Sequence, residues 1–159
     1  MAAPLVLVLY NQPLLPKGHP DYESEHSVVT IAQKMAEGLV QANFRAKLLG
    51  LAHDPLILLQ ELRRAKPAVV FNLYEGQMED TETESYVAGL LQWSGVPFTG
   101  SPPLALSLAR GKHTAKTLLR GAGLPTADFL VVEELPMPEC DLSWPVIVKP
   151  AKQDRKSVV

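Results

Sequence analysis

At 159 residues, with 47% hydrophobic and 20% charged side chains, the chain has apolar material for a buried core and a composition that excludes general disorder. A net charge of −2 and a pI near 6.1 exclude the basic stripe that nucleic acid or an anionic membrane surface requires. The lone Cys140 cannot close an internal disulfide, which fits a reducing, cytoplasmic setting.

In chain order, residues 5–10 (LVLVLY) form a continuous apolar run of the kind found in parallel strands covered on both faces. The run lacks a positive leader and a small-residue cleavage site, and it is too short to span a bilayer, so it reads as a first buried strand. The proline-rich stretch NQPLLPKGHPDYE is a loop. Val28, Ile31, Met35 and Leu39 then recur at helical spacing, which predicts an amphipathic helix over 24–43. A short strand is expected at 46–49. Asp54 caps a second helix whose first position is Pro55, where the missing N–H is harmless. Pro67 closes that helix, and AVVFNL at 68–73 reads as the third strand.

Thr81 and Glu84 have the spacing of a capping box ahead of Val87, Leu90 and Leu91, and Gly95 stops this third helix. VPFTG is a brief fourth strand. Strands alternating with helices imply right-handed crossovers and a parallel sheet covered by helices on both faces. Beyond Gly100 two short helices are expected, at 104–110 and 112–120, followed by LPTADFLVVEEL and WPVIVKP as two strand-like segments.

The familiar phosphate loops are missing. No G-x-G-x-x-G follows the first strand, and Gly111-Lys112 lacks the upstream glycine and neighbouring hydroxyl of the other glycine-rich loop. His19, His26, His53 and His113 have no metal-ligand spacing, and EDTETE reads first as acids gathered at a solvated helix N-terminus. Three features point to ligands. Glu23 and Glu25 follow the first strand, at the sheet edge where open α/β folds bind small molecules, although the pair equally suits a helix N-terminus. Lys112 opens a helix, where backbone N–H groups and an ammonium can hold an anion. Lys149 ends an apolar run and is followed by Pro150; a lysine at the end of a buried strand needs an anionic partner, unless it snorkels to solvent.

In order, ESEHS at 23–27, GLLQWSGVPFTGSPPLALSLARGKHTAKTLLRGAGLPTADF at 89–129 and WPVIVKPA at 144–151 resemble D-alanine–D-alanine ligase and its relatives in the ATP-grasp superfamily. The resemblance implies a Rossmann-like pre-ATP-grasp α/β domain at 1–100, a helical connector at 101–125 and an incomplete α+β ATP-grasp segment at 126–159. It implies an ATP-dependent carboxylate–amine ligase that forms a peptide bond through an acyl phosphate, with ATP and Mg²⁺ as cofactors and a cell-wall precursor role. It further implies that Glu23 holds the first amino acid's ammonium group and that Lys112 and Lys149 contact ATP phosphates. Ser157 falls where the family has a mobile phosphate-covering loop. A homodimer through the first domain is also implied.

The sequence departs from the family in three places. Gly111 replaces an aspartate, Tyr74 and Glu75 stand where the D-alanine enzymes carry a histidine, and KQDRKSVV replaces a loop with Ser-Val-Gly. The second departure points to an amino acid or peptide other than D-alanine. The third predicts that this chain alone has no ligase activity, because the acidic Mg²⁺ ligands and half of the ATP clamp are missing from it. The alternatives are a stand-alone amino-acid or peptide-binding module and a non-functional remnant.

Overall fold

A computed structural model describes residues 3–77, 80–134, 136 and 139–149. The chain forms two compact units, Met1–Pro103 and Leu104–Val159.

The first unit is built on β1 (Leu5–Asn11). Val6, Leu7, Val8 and Leu9 are each no more than 2% exposed. Successive strand side chains point to opposite faces, so burial of all four means that both faces are covered. β2 (Arg45–Leu51) and β3 (Val69–Leu73) pair with β1 in parallel, Leu5 opposite Arg45 and Val6 opposite Val69, giving the order β2-β1-β3. The expected fourth strand is a single parallel bridge from Val70 to Phe98. Val70 N–H donates to the Pro97 carbonyl at 2.8 Å, and Thr99 N–H donates to the Val70 carbonyl at 3.0 Å. Pro97 has no N–H to extend the ladder, and Gly100, at φ +106°, turns the chain away.

α1 (Tyr22–Gln41) packs on β1 and β2. Its inward stripe runs through the fully buried Ala32, whereas Ile31, expected inside, is 51% exposed. A small side chain lets the helix lie close to the sheet, and the large one is left outside. α2 (Pro55–Ala65) starts as expected: the Asp54 carboxylate accepts the Leu56 N–H at 2.9 Å, satisfying one of the four orphan donors. Lys66, at φ +46°, ends it in the left-handed conformation. α3 (Thr83–Ser94) begins two residues after the expected cap Thr81; Asp80 Oδ1 accepts the Glu82 N–H at 3.0 Å and shapes the entry turn. Gly95, at φ +72°, ends α3 as its sequence requires.

Leu7 and Leu9 from β1, Leu58 and Leu62 from α2, and Val87 and Leu91 from α3 form one cluster with Leu51, Val70 and Tyr74. Each fully buried leucine contributes roughly 1.5–3 kcal/mol relative to exposure. Among the described residues, one charged side chain is buried beside this layer. Glu61 on α2 is buried, and its carboxylate is shared by Lys47 of β2 at 2.6 Å and Arg64 at 2.6 Å. The Lys47 hydrogen bond, more than the arginine, holds the Glu61 carboxyl below its ordinary 4.5 against the opposing effect of burial.

The second unit contains α4 (Pro103–Arg110) from its second residue onward and α5 (Lys112–Gly121). The segment after α5 is fixed to it by side chains. Lys116 Nζ donates to the Ala127 carbonyl at 2.6 Å, Arg120 pairs with Asp128 at 2.5 Å, and both cations lie over the Phe129 ring. The two expected strands do not form among the described residues of 124–149. Trp144, Ile147 and Val148 are 81%, 81% and 76% exposed, and Lys149 is exposed rather than the end of a buried strand. Strand propensity does not suffice where no neighbouring strand takes up the backbone hydrogen bonds.

Candidate functional site

In an open parallel sheet the strand order reverses at one point, and the loops leaving the strands diverge there to open a crevice at their carboxyl ends. Here that point lies between β1 and β3. The residues leaving β1 and β3 at this edge are Asn11 and the Tyr74-Glu75-Gly76 turn.

Asn11 joins the two loops with both ends of its amide. Its Nδ2 donates to the Gly76 carbonyl at 2.6 Å, and its Oδ1 accepts the Glu75 N–H at 2.9 Å. The turn has little freedom to relax. Gly76 sits at φ +86°, and a Cβ added there would lie 2.8 Å from the Thr81 carbonyl oxygen. Behind the turn, Gln77 Nε2 donates to the Ala52 carbonyl at 2.5 Å, and Thr83 Oγ1 accepts the Gln77 N–H at 2.9 Å. Tyr74 is buried within this frame. Its phenol is pushed above the ordinary 10.0 by burial, an effect that hydrogen bonding to Thr83 and Gln77 opposes.

The carboxylates around this edge divide into used and unused. Glu25 Oε2 accepts the N–H groups of Leu14 and Leu15 at 3.1 and 2.8 Å and so shapes the β1–α1 loop. Asp80 Oδ1 accepts the Glu82 N–H in the turn before α3, and Glu82 accepts the Tyr86 hydroxyl at 2.6 Å. Glu75 is exposed and its side chain has no hydrogen-bond or ion-pair partner among the described residues. Glu23 is exposed in the first turn of α1, in a shallow depression that it lines with His26, Ser27, Thr30, Ile31 and Lys34. The first turn of α1 follows β1 and therefore lies at the carboxyl edge.

A larger depression, of about 770 Å³, is lined by Leu59, Leu62, Arg63, Lys66, Trp93 and Val96 among others. These residues belong to the ends of α2 and α3, which lead into β3 and Phe98, so the depression lies at the opposite edge from the crevice.

Glu23 belongs to the first unit, and Lys112 and Lys149 belong to the second. Lys112 is the first residue of α5, half-buried, behind Gly111, which offers no side chain to cap the helix. Lys149 is exposed, and Ser157 lies outside the described residues. The clip made by Asn11 was not foreseen from sequence, although its position, the polar residue that ends an apolar strand at a switch point, is the signal that could have found it. Among the described residues no group of three or more His, Cys, Asp or Glu side chains is arranged to hold a metal ion. No helix of the described residues is long and apolar enough to cross a membrane.

No family model matches the chain. Individual relatives do. A D-alanine–D-alanine ligase from a Synechococcus species is 36% identical over 135 residues, covering 81% of this chain and 40% of the ligase. The D-alanine–D-alanine ligase of a Jannaschia species is 33% identical over 136 residues, covering 84% and 42%. The chain is related to the ATP-grasp ligases of the D-alanine–D-alanine ligase-like superfamily. An uncharacterized protein of Sinorhizobium fredii, 33% identical over 136 residues, is similar over 77% of this chain and 40% of its own length. The chain thus spans about two-fifths of the length of the curated relatives it matches. The crystal structure of the Bacillus anthracis D-alanine–D-alanine ligase aligns over 80% of the chain and 37% of its own, with a TM-score of 0.57 and 17% identity, which supports the fold.

Proposed function

We propose that this chain supplies the amino-acid-binding α/β unit of an ATP-dependent carboxylate–amine ligase. The observation that carries the reading is the Asn11 clip between the loops leaving β1 and β3 at the reversal point of the sheet, in a sequence homologous to ligases named for joining D-alanine. In such a reaction a carboxylate is activated as an acyl phosphate and an amine displaces the phosphate, so the protein contributes mainly positioning and charge complementarity. Glu23 is the proposed partner of the first substrate's ammonium group. Lys112, with the N–H groups opening α5, and Lys149 are the proposed partners of ATP phosphates.

ATP and Mg²⁺ are the proposed cofactors of the reaction. A divalent ion between phosphates would supply neutralisation of developing negative charge. The described residues do not assemble a site for it, so this chain's part is derived from binding and orientation alone. Unit 1 closes its core with its own residues, which favours a second reading in which the α/β unit acts as an amino-acid-binding module.

Isothermal titration of the 159-residue chain with amino acids tests the proposal. Saturable binding that weakens about tenfold in Glu23→Gln is expected, from loss of one charge-assisted hydrogen bond. Absence of binding by any amino acid would overturn it.

A further inference from the structure

The depression at the opposite edge of the sheet has a chemistry of its own. Its floor reaches the core: Leu62 belongs to the buried cluster, and Leu90 and Val96 pack against that cluster. Leu59 extends the apolar wall along α2. Trp93, near the end of α3, lines the same depression and is 89% exposed. The volume of about 770 Å³ falls within the roughly 300–1,000 Å³ of small-molecule sites, which also combine apolar walls with a few polar groups.

Two cations join this apolar surface, and no aspartate or glutamate is among the described residues that line it. Arg63 and Lys66 both line the depression. Neither side chain has a hydrogen-bond or ion-pair partner among the described residues. Their neighbours differ, because Arg64 and Lys47 are both neutralised by the buried Glu61. The negative end of α2 favours cations in its last turn, and that explains Arg63 and Arg64 alike. It does not explain an exposed indole and a leucine wall beside the unpaired cations. A molecule with an apolar body and a negative end satisfies both parts. It covers the leucines and the indole, and it gives the guanidinium and the ammonium a charge-assisted partner. We infer that this depression is a second ligand site, one that takes an apolar carboxylate. A zwitterionic amino acid would bring its own ammonium beside the two cations, so the site differs in ligand class from the amino-acid edge and stands independently of that reading.

The test titrates phenylbutyrate into the full chain by calorimetry, beside phenylbutyramide and phenylbutylamine, which keep the ring and replace the carboxylate by a neutral or a cationic end. Wild type is expected to bind phenylbutyrate saturably and about tenfold more tightly than the amide, with the amine weakest. The indole N–H signal of Trp93 should shift along the same curve. Arg63→Gln combined with Lys66→Asn should bind acid and amide alike; asparagine is used because Lys66 sits at φ +46°, which that residue tolerates. Trp93→Ala should weaken acid and amide by a similar factor and leave their ratio unchanged. Arg63, Lys66 and Trp93 are exposed, so these variants should keep the wild-type thermal midpoint. Absence of saturating phenylbutyrate binding by wild type, or equal binding of acid and amine, overturns the inference without recourse to any variant. So does a saturating response that leaves the Trp93 signal unmoved, or a carboxylate preference that survives the double substitution. Each of these results leaves the amino-acid-binding role intact, since that role is read separately in the Glu23→Gln titration.

Discussion

Asn11 and Gly76, 65 residues apart in sequence, are joined by a 2.6 Å hydrogen bond from Nδ2 to the glycine carbonyl across the reversal point of the sheet. The opposite end of the same amide holds the Glu75 N–H. A donor and an acceptor of one side chain therefore both go to joining the loops that leave β1 and β3. Asn11→Leu removes both bonds and leaves an N–H and a carbonyl short of partners. We expect a loss of about 2 kcal/mol in urea unfolding. Asn11→Asp keeps the acceptor and loses the donor, and should cost at least as much because a carboxylate then faces the Gly76 carbonyl.

Gly76→Ala tests the other half of the turn. A side chain at φ +86°, 2.8 Å from a backbone oxygen, forces the loop to move. The expected cost is about 2 kcal/mol. Amide signals of residues 74–77 should shift in the variant, while those of β2 should not.

Lys47→Met leaves the buried Glu61 carboxylate with Arg64 alone. A loss of about 2 kcal/mol is expected, measured at neutral pH. Wild-type stability should also fall in acid. The Glu61 pKa is lowered in the folded state, so the unfolded chain takes up a proton first as pH decreases. The contribution is complete above about pH 4.5 and is lost as pH drops through the lower folded value. In Lys47→Met that acid-dependent component should shrink.

At the alkaline end Tyr74 acts in the opposite sense. Burial raises its pKa above 10.0, so at higher pH the unfolded chain loses a proton that the folded chain retains. Stability should decline above pH 10 and do so less in Tyr74→Phe, as read by denaturant midpoints across that range.

These expectations draw on features of unequal legibility in the sequence. The Leu5–Asn11 strand, the Asp54-Pro55 helix start and the Gly95 stop were readable because each rests on local chemistry: an unbroken apolar run, a cap with a proline, a residue that tolerates positive φ. Ile31 was misplaced because helical spacing fixes a stripe only to within a residue, and the sheet selected the slimmer Ala32. The segments at 126–134 and 144–149 have strand composition, but composition says nothing of whether a partner strand is at hand. Glu23 and Glu75 were visible as residues. Their separation from Glu25, Asp80 and Glu82 was not, because it depends on which backbone N–H groups the loops bring to each carboxylate.

The central claim is that the edge between β1 and β3 receives an amino acid. It is tested most directly by following backbone amide signals of the 159-residue chain while amino acids are added in turn. The account predicts that Asn11, Glu75, Gly76 and the first turn of α1 respond together, with one saturating dependence on concentration. A response confined to the Leu62–Trp93 depression at the opposite edge, or no saturating response, would contradict it.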